Sequence, residues 1–154
     1  MATCCASLRS DKDMADFLRD VRDRLGPGVD TDAAALSIVN GVLQTFRRRL
    51  TPPQVIAFGD ALPAILRAML VYRWRVDAVA LPFGSRSELI REVHAACSGQ
   101  MIPALNVIEA TAFALWRHCE AADLRLTLSQ IGPEALAFWT VPGLTEADAP
   151  VEIG

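Results

Sequence analysis

The sequence predicts an all-α protein made of two similar four-helix halves, an internal repeat offset by about 70 residues and packed as one domain. Three observations carry this. Apolar residues recur at spacings of three and four, the period of a helix with one buried face. Helix starts are marked by cap residues and prolines at Thr31, at Thr51-Pro52 and at Ser85. The pattern of residues 13–74 then returns over residues 85–140, after a linker at about 75–84.

The first helix is expected from Asp13 to Leu25. Phe17, Leu18, Val21 and Leu25 share one face, and Asp16, Arg19, Asp20, Asp23 and Arg24 occupy the others. Gly26-Pro27-Gly28 ends it, because glycine takes the left-handed C-terminal position and proline cannot continue the ladder. A second helix starts near Asp30-Thr31-Asp32 and carries the stripe Ala35, Ile38, Val39, Val42, Leu43, Phe46 and Leu50. Thr51, Pro52, Pro53 and Gln54 match a capping box, with proline in the first turn where its missing amide costs nothing. Gly59-Asp60 is expected to break this third helix, with Asp60 capping a fourth that has Pro63 in its first turn and Leu62, Ile65, Leu66, Met69 and Leu70 on its apolar side.

The linker RVDAVALPFG has no helical period. Beyond it, Ser85 and Glu88 form a second capping box ahead of Leu89, Ile90 and Val93, which match Phe17, Leu18 and Val21 at an offset of 72. At an offset of 70, Ile108, Ala112 and Trp116 fall on Ile38, Val42 and Phe46; Leu126 and Leu128 on Ile56 and Phe58; Pro133 and Leu136 on Pro63 and Leu66. The alternation Leu124-Arg125-Leu126-Thr127-Leu128 reads alone as a strand, and the repeat makes it a short helix. The tail at about 145–154 is expected to be loosely held.

The 154 residues are enough to bury about 70% of the surface exposed by the unfolded chain. The 52% apolar and 21% charged residues exclude disorder. A net charge of −3 argues against nonspecific attraction to nucleic acid or to an anionic membrane. The longest apolar run, Ala61 to Tyr72, contains Arg67 and is shorter than the ~20 residues that span a bilayer. The opening MATCCASLRSDKD has no apolar core of a signal peptide, so Cys4, Cys5, Cys97 and Cys119 read as reduced thiols in a cytoplasm.

The succession FLRDVRDRL, VNGVLQTFRRRL, TPPQ and DALPAILRAML, closing on Tyr72-Arg73-Trp74, resembles the bacterial domain-of-unknown-function family 2267. The resemblance covers roughly Met14 to Trp139; the second half departs more, with Ile131-Gly132-Pro133 where the first has Ala61-Leu62-Pro63. It implies a duplicated helical fold in a bacterial, cytoplasmic protein and supplies no catalytic residues.

Arg47, Arg48 and Arg49 are the densest charge. Cations at a helix C-terminus complement its exposed carbonyls, and the functional alternative is contact with an anion, a nucleic acid or a partner. His94 with Cys97, and His118 with Cys119, are ligand types for zinc, so a metal-dependent enzyme would need all four to converge; the cysteines also lie on or near apolar stripes, where thiols pack as small hydrophobes. No metal or other cofactor is expected. Phosphate loops, H-E-x-x-H and G-x-S-x-G are missing from the sequence. Trp74 at a helix end and Trp139 near Val141-Pro142-Gly143 are candidates for a partner surface. The expectation is a non-catalytic helical interaction or assembly module that binds a protein partner or a second copy of itself, with nucleic acid and membrane disfavoured.

Overall fold

A computed structural model of the protein describes residues 11–97 and 104–142, so Cys4, Cys5 and the tail at about 145–154 lie outside the described residues. Eight helices follow one another: α1 (Asp11–Leu25), α2 (Asp32–Arg47), α3 (Pro52–Asp60), α4 (Ala64–Val71), α5 (Arg86–Ala96), α6 (Val107–His118), α7 (Ala121–Ile131) and α8 (Pro133–Trp139). The described residues are all-α, without a strand. The segment that alternates in sequence is α7, where Leu124 and Leu128 are buried one turn apart and Leu126 is exposed.

The starts follow local chemistry. Thr31 Oγ1 accepts from the Ala34 amide at 3.1 Å, and Gln54 Oε1 accepts from the Thr51 amide at 2.8 Å. At α5, Ser85 Oγ accepts from the Glu88 amide while Glu88 Oε1 accepts from the Ser85 amide, so both orphan donors are satisfied. Gly84 precedes this box at φ 74°, a left-handed backbone that favours glycine, and a Cβ there would lie 2.6 Å from Glu88 Oε1 and displace the capping carboxylate. Asp60 does not behave as expected. α3 runs through it, a tight turn links the Leu62 amide to Gly59 O at 3.0 Å, and Pro63 is the residue that caps α4, with its carbonyl accepting from the Arg67 amide. The Asp60 side chain is exposed and caps nothing, because the chain reverses through backbone hydrogen bonds before α4 begins.

The four helices before the linker interleave with the four after it. α1 packs chiefly on α6 and α2 on α5, α2 also meets α6, and α3 meets α7. Exchanging α1–α4 with α5–α8 maps each of these pairings onto another or onto itself. Burial follows the offset of 70 only in part: Ile38, Val42 and Phe46 are buried as are Ile108, Ala112 and Trp116, and Ile56 and Leu126 are both exposed, whereas Pro63 and Leu66 are buried while Pro133 is exposed and Leu136 half-buried. α5 approaches α2 at Gly41, where a Cβ would lie 3.2 Å from Val93 O.

The centre of the core is aromatic. The Phe46 ring lies 4.8 Å from Phe58, 4.9 Å from Phe138 and 5.4 Å from Trp139, and Trp139 stacks on Phe58 at 5.6 Å. Each buried ring contributes about 1.5–3 kcal/mol by leaving water, and each ring pair about 0.5–1.5 kcal/mol more. Trp116 Nε1 donates to Trp139 O at 2.7 Å, fixing α8 against α6. Trp139 is fully buried. Its expected place on a partner surface is therefore corrected: α8 folds it between Phe46, Phe58 and Phe138 before the chain reaches the Val141-Pro142 turn.

Candidate functional site

The C-terminal end of α2 is held by two layers of arginine chemistry. Arg49, with a side chain only 7% exposed, donates to both carboxylate oxygens of Glu92 on α5, at 2.7 and 2.8 Å, and also to Thr45 O and Pro82 O. Arg48 donates to the same carboxylate. Burial alone would push the Glu92 carboxyl up, but hydrogen bonds from Arg49 and Arg48, together with their charges, outweigh it and hold the group below the usual carboxylate range. This clasp ties α2 to α5 and to the linker.

A similar clasp joins α1 to α6. Asp20 Oδ2 lies 2.8 Å from His118 Nε2 and 3.3 Å from Arg117 Nε, and the His118 ring stands edge-on to Phe17 at 5.4 Å. At the offsets of 72 and 70 residues, Asp20 falls on Glu92 and Arg117-His118 on Arg47-Arg48. In both cases an acid on one half's first helix grips basic groups at the end of the other half's second helix.

Arg47 belongs to the second layer. Its Nη1 donates to Leu70 O at 2.8 Å and to Tyr72 O at 3.0 Å, satisfying carbonyls at the end of α4. Burial, with the neighbouring Arg48 charge, lowers its pKa from the ordinary guanidinium value. After Tyr72 the chain turns sharply: Arg73 has φ 52°, the one non-glycine residue with positive φ among those described. A left-handed arginine costs about 1–2 kcal/mol, and such strain is often found at binding sites. The linker then returns to α2, where the Leu81 amide donates to Arg48 O at 2.9 Å.

Between α2, the start of α3 and the linker lies a groove of 380 Å³. Its charged lining is Arg47, Arg48, Arg73 and Arg75; its apolar lining includes Leu50, Trp74, Val76, Val79 and Leu81. Val79 is 86% exposed, and Tyr72, Val76 and Leu81 are exposed as well. Among the described residues, four of the exposed large apolar side chains fall within the ten residues from Tyr72 to Leu81, three of them in the groove lining. Arg73 and Arg75 form no ion pair with a carboxylate among the described residues; Arg73 lies over the Tyr72 ring at 5.3 Å.

Of the residues singled out in the sequence, Arg47, Arg48 and Trp74 meet in this groove, Arg49 is engaged with Glu92, and Trp139 is in the core. His94 Nε2 is 2.8 Å from Ala104 O, while Cys97 is buried with its sulfur 3.2 Å from Val93 O. Burial pushes the Cys97 thiol up, which keeps it protonated. His118 faces Asp20 instead, and the described residues contain no group of three or more His, Cys, Asp or Glu placed to hold a metal ion. The four residues required for a metal enzyme are not gathered into one such site. No described helix is long and apolar enough to cross a membrane.

Arg73, Arg75, Val76, Val79 and Leu81 line the groove without having been expected as site residues. A usable signal was present: an apolar run without helical or strand period, placed between a tryptophan and a capping box, has no regular face with which to bury itself. Comparison with curated proteins finds no match. A family model described as "Uncharacterized conserved protein (DUF2267)" matches residues 14–137, from the first buried face of α1 into α8. With that match spanning both halves and the linker that builds the groove, the chain belongs to the DUF2267 family.

Proposed function

We propose that this protein is a non-catalytic interaction module of the bacterial cytoplasm, and that the groove between the end of α2 and the linker receives its protein partner. The observation that carries the reading is the coincidence in one place of exposed apolar residues, an indole and four guanidinium groups. Tryptophan and arginine are the residue types that dominate binding energy at protein interfaces. Guanidinium groups stay protonated near neutral pH, and aliphatic side chains carry no titratable proton, so this lining suits binding better than acid–base chemistry. Arg49, bound to Glu92 and to Pro82 O, ties the end of α2 to the linker, which supports a preorganised site.

The test is site-specific photocrosslinking in cells, with a photoreactive residue in place of Val79 and, as the control, in place of Asp123 on exposed α7. A discrete adduct is expected from position 79 alone, and it should be lost when Arg73→Glu and Arg75→Glu are added. An adduct of twice the chain's mass identifies a second copy as the partner. Equal adducts from both positions, or an adduct indifferent to the two arginines, would refute the reading.

A further inference from the structure

We infer that the occupant of the groove is an acidic peptide segment bearing apolar side chains, a conclusion that rests on reading the groove as a binding site. Charge complementarity comes first. Arg47 is bound to neutral carbonyls, Arg73 and Arg75 have no carboxylate partner among the described residues, and Arg48 shares the single Glu92 carboxylate with Arg49. Asp77 is the one acid in the linker. Positive charge is therefore in excess here, although the whole chain carries −3. The field of the groove attracts anions while the rest of the molecule repels polyanions, which favours a short acidic segment over a nucleic acid.

The apolar lining sets the second requirement. Leu50, Trp74, Val76, Val79 and Leu81 gain nothing from a hydrated phosphate or a bare carboxylate, and they are the part of the groove that an aliphatic or aromatic side chain would cover. A cavity of about 150 Å³ holds one benzene; at 380 Å³ the groove has room for roughly two such groups. Exposed apolar surface continues from Val76, Val79 and Leu81 in the groove lining to Tyr72 outside it. A peptide with two apolar side chains flanked by Asp or Glu satisfies both requirements. Its carboxylates would meet planar guanidinium donors that bind such groups in pairs.

A phage-displayed library of random dodecapeptides, selected on the full chain and counter-selected on an Arg73→Glu/Arg75→Glu variant, tests this. All substituted positions are at the surface, and circular dichroism of the variant confirms that the helices are kept. The expected result is enrichment of peptides with Asp or Glu beside Leu, Phe or Trp. A representative peptide, synthesised with a fluorophore, should bind the variant at least tenfold more weakly; it should also lose at least tenfold when its apolar residues are replaced by serine, and weaken as salt is raised. Groove-dependent peptides that are basic or uncharged would overturn the acidic assignment and leave the binding site standing. Serine-substituted peptides that bind equally well, or tighter binding of a dodecathymidylate than of any selected peptide, would overturn it too. If no enriched peptide distinguishes wild type from the variant, both the occupant and the binding site are refuted.

Discussion

Glu92→Gln tests the clasp at the end of α2. Glu92 accepts two hydrogen bonds from Arg49, which is almost wholly buried, and one from the more exposed Arg48; its own side chain is 26% exposed. A hydrogen bond to a buried charged group is worth about 1.5–3 kcal/mol, whereas an ion pair at the surface contributes about 0.2–1 kcal/mol. Glutamine keeps one acceptor oxygen but removes the charge opposing two guanidiniums. The expected loss is about 2 kcal/mol in urea unfolding at pH 7, or a fall in Tm of roughly 4–8 °C for a chain of this size. The pH dependence fixes the cause. The folded carboxyl titrates below its ordinary value of 4.5, so the stabilisation is fully present above about that pH and is lost as pH falls through the folded value. Wild type and variant should therefore converge below pH 4.5. A variant as stable as wild type at pH 7, or a difference unchanged at pH 3, would refute the account of the clasp.

Four further outcomes follow from the packing. Leu66→Ala deletes a fully buried side chain on α4 and should cost about 2–5 kcal/mol in urea unfolding, while Asp60→Ala, which removes no cap, should change stability by no more than about 0.5 kcal/mol. Cys97, buried and with its thiol pushed up, should resist iodoacetamide in the native protein and react once urea unfolds it, as followed by mass spectrometry; rapid native alkylation would contradict its placement. Chains cut in the linker and expressed as separate halves should each show little helical circular dichroism and regain it on mixing, because α1 and α2 bury their faces against α6 and α5; a first half that folds alone would show that the halves do not interleave as described.

Residues that act through local chemistry were legible in the sequence. Thr31, Thr51 and Ser85 mark helix starts because a cap depends on atoms three residues away, and the stripes of α1, α2 and α6 announce their buried faces by period alone. Asp60 misled because an aspartate after glycine is a good cap only if the backbone begins a helix there, and here it continues α3 into a turn. Trp139 reads as a rim residue from its neighbouring turn, yet its burial depends on rings contributed by α2 and α3, about 80 to 90 residues earlier in the chain. The arginine triplet was visible as helix-end charge, but its acid, Glu92, is 43 residues from Arg49. The groove was hidden for the same reason: Arg47 and Arg48 become part of a site only when the linker folds back and Leu81 bonds to the end of α2.

The groove as the binding site is tested most directly by backbone amide NMR of the full chain, titrated with a peptide obtained by selection on it. Shift changes are predicted to centre on Arg47, Arg48, Arg73, Trp74, Val79 and Leu81, with the Trp74 indole signal moving and that of buried Trp139 unmoved. Changes centred instead on the exposed faces of α3 and α7 around Ile56 and Leu126, with the linker signals unchanged, would contradict it.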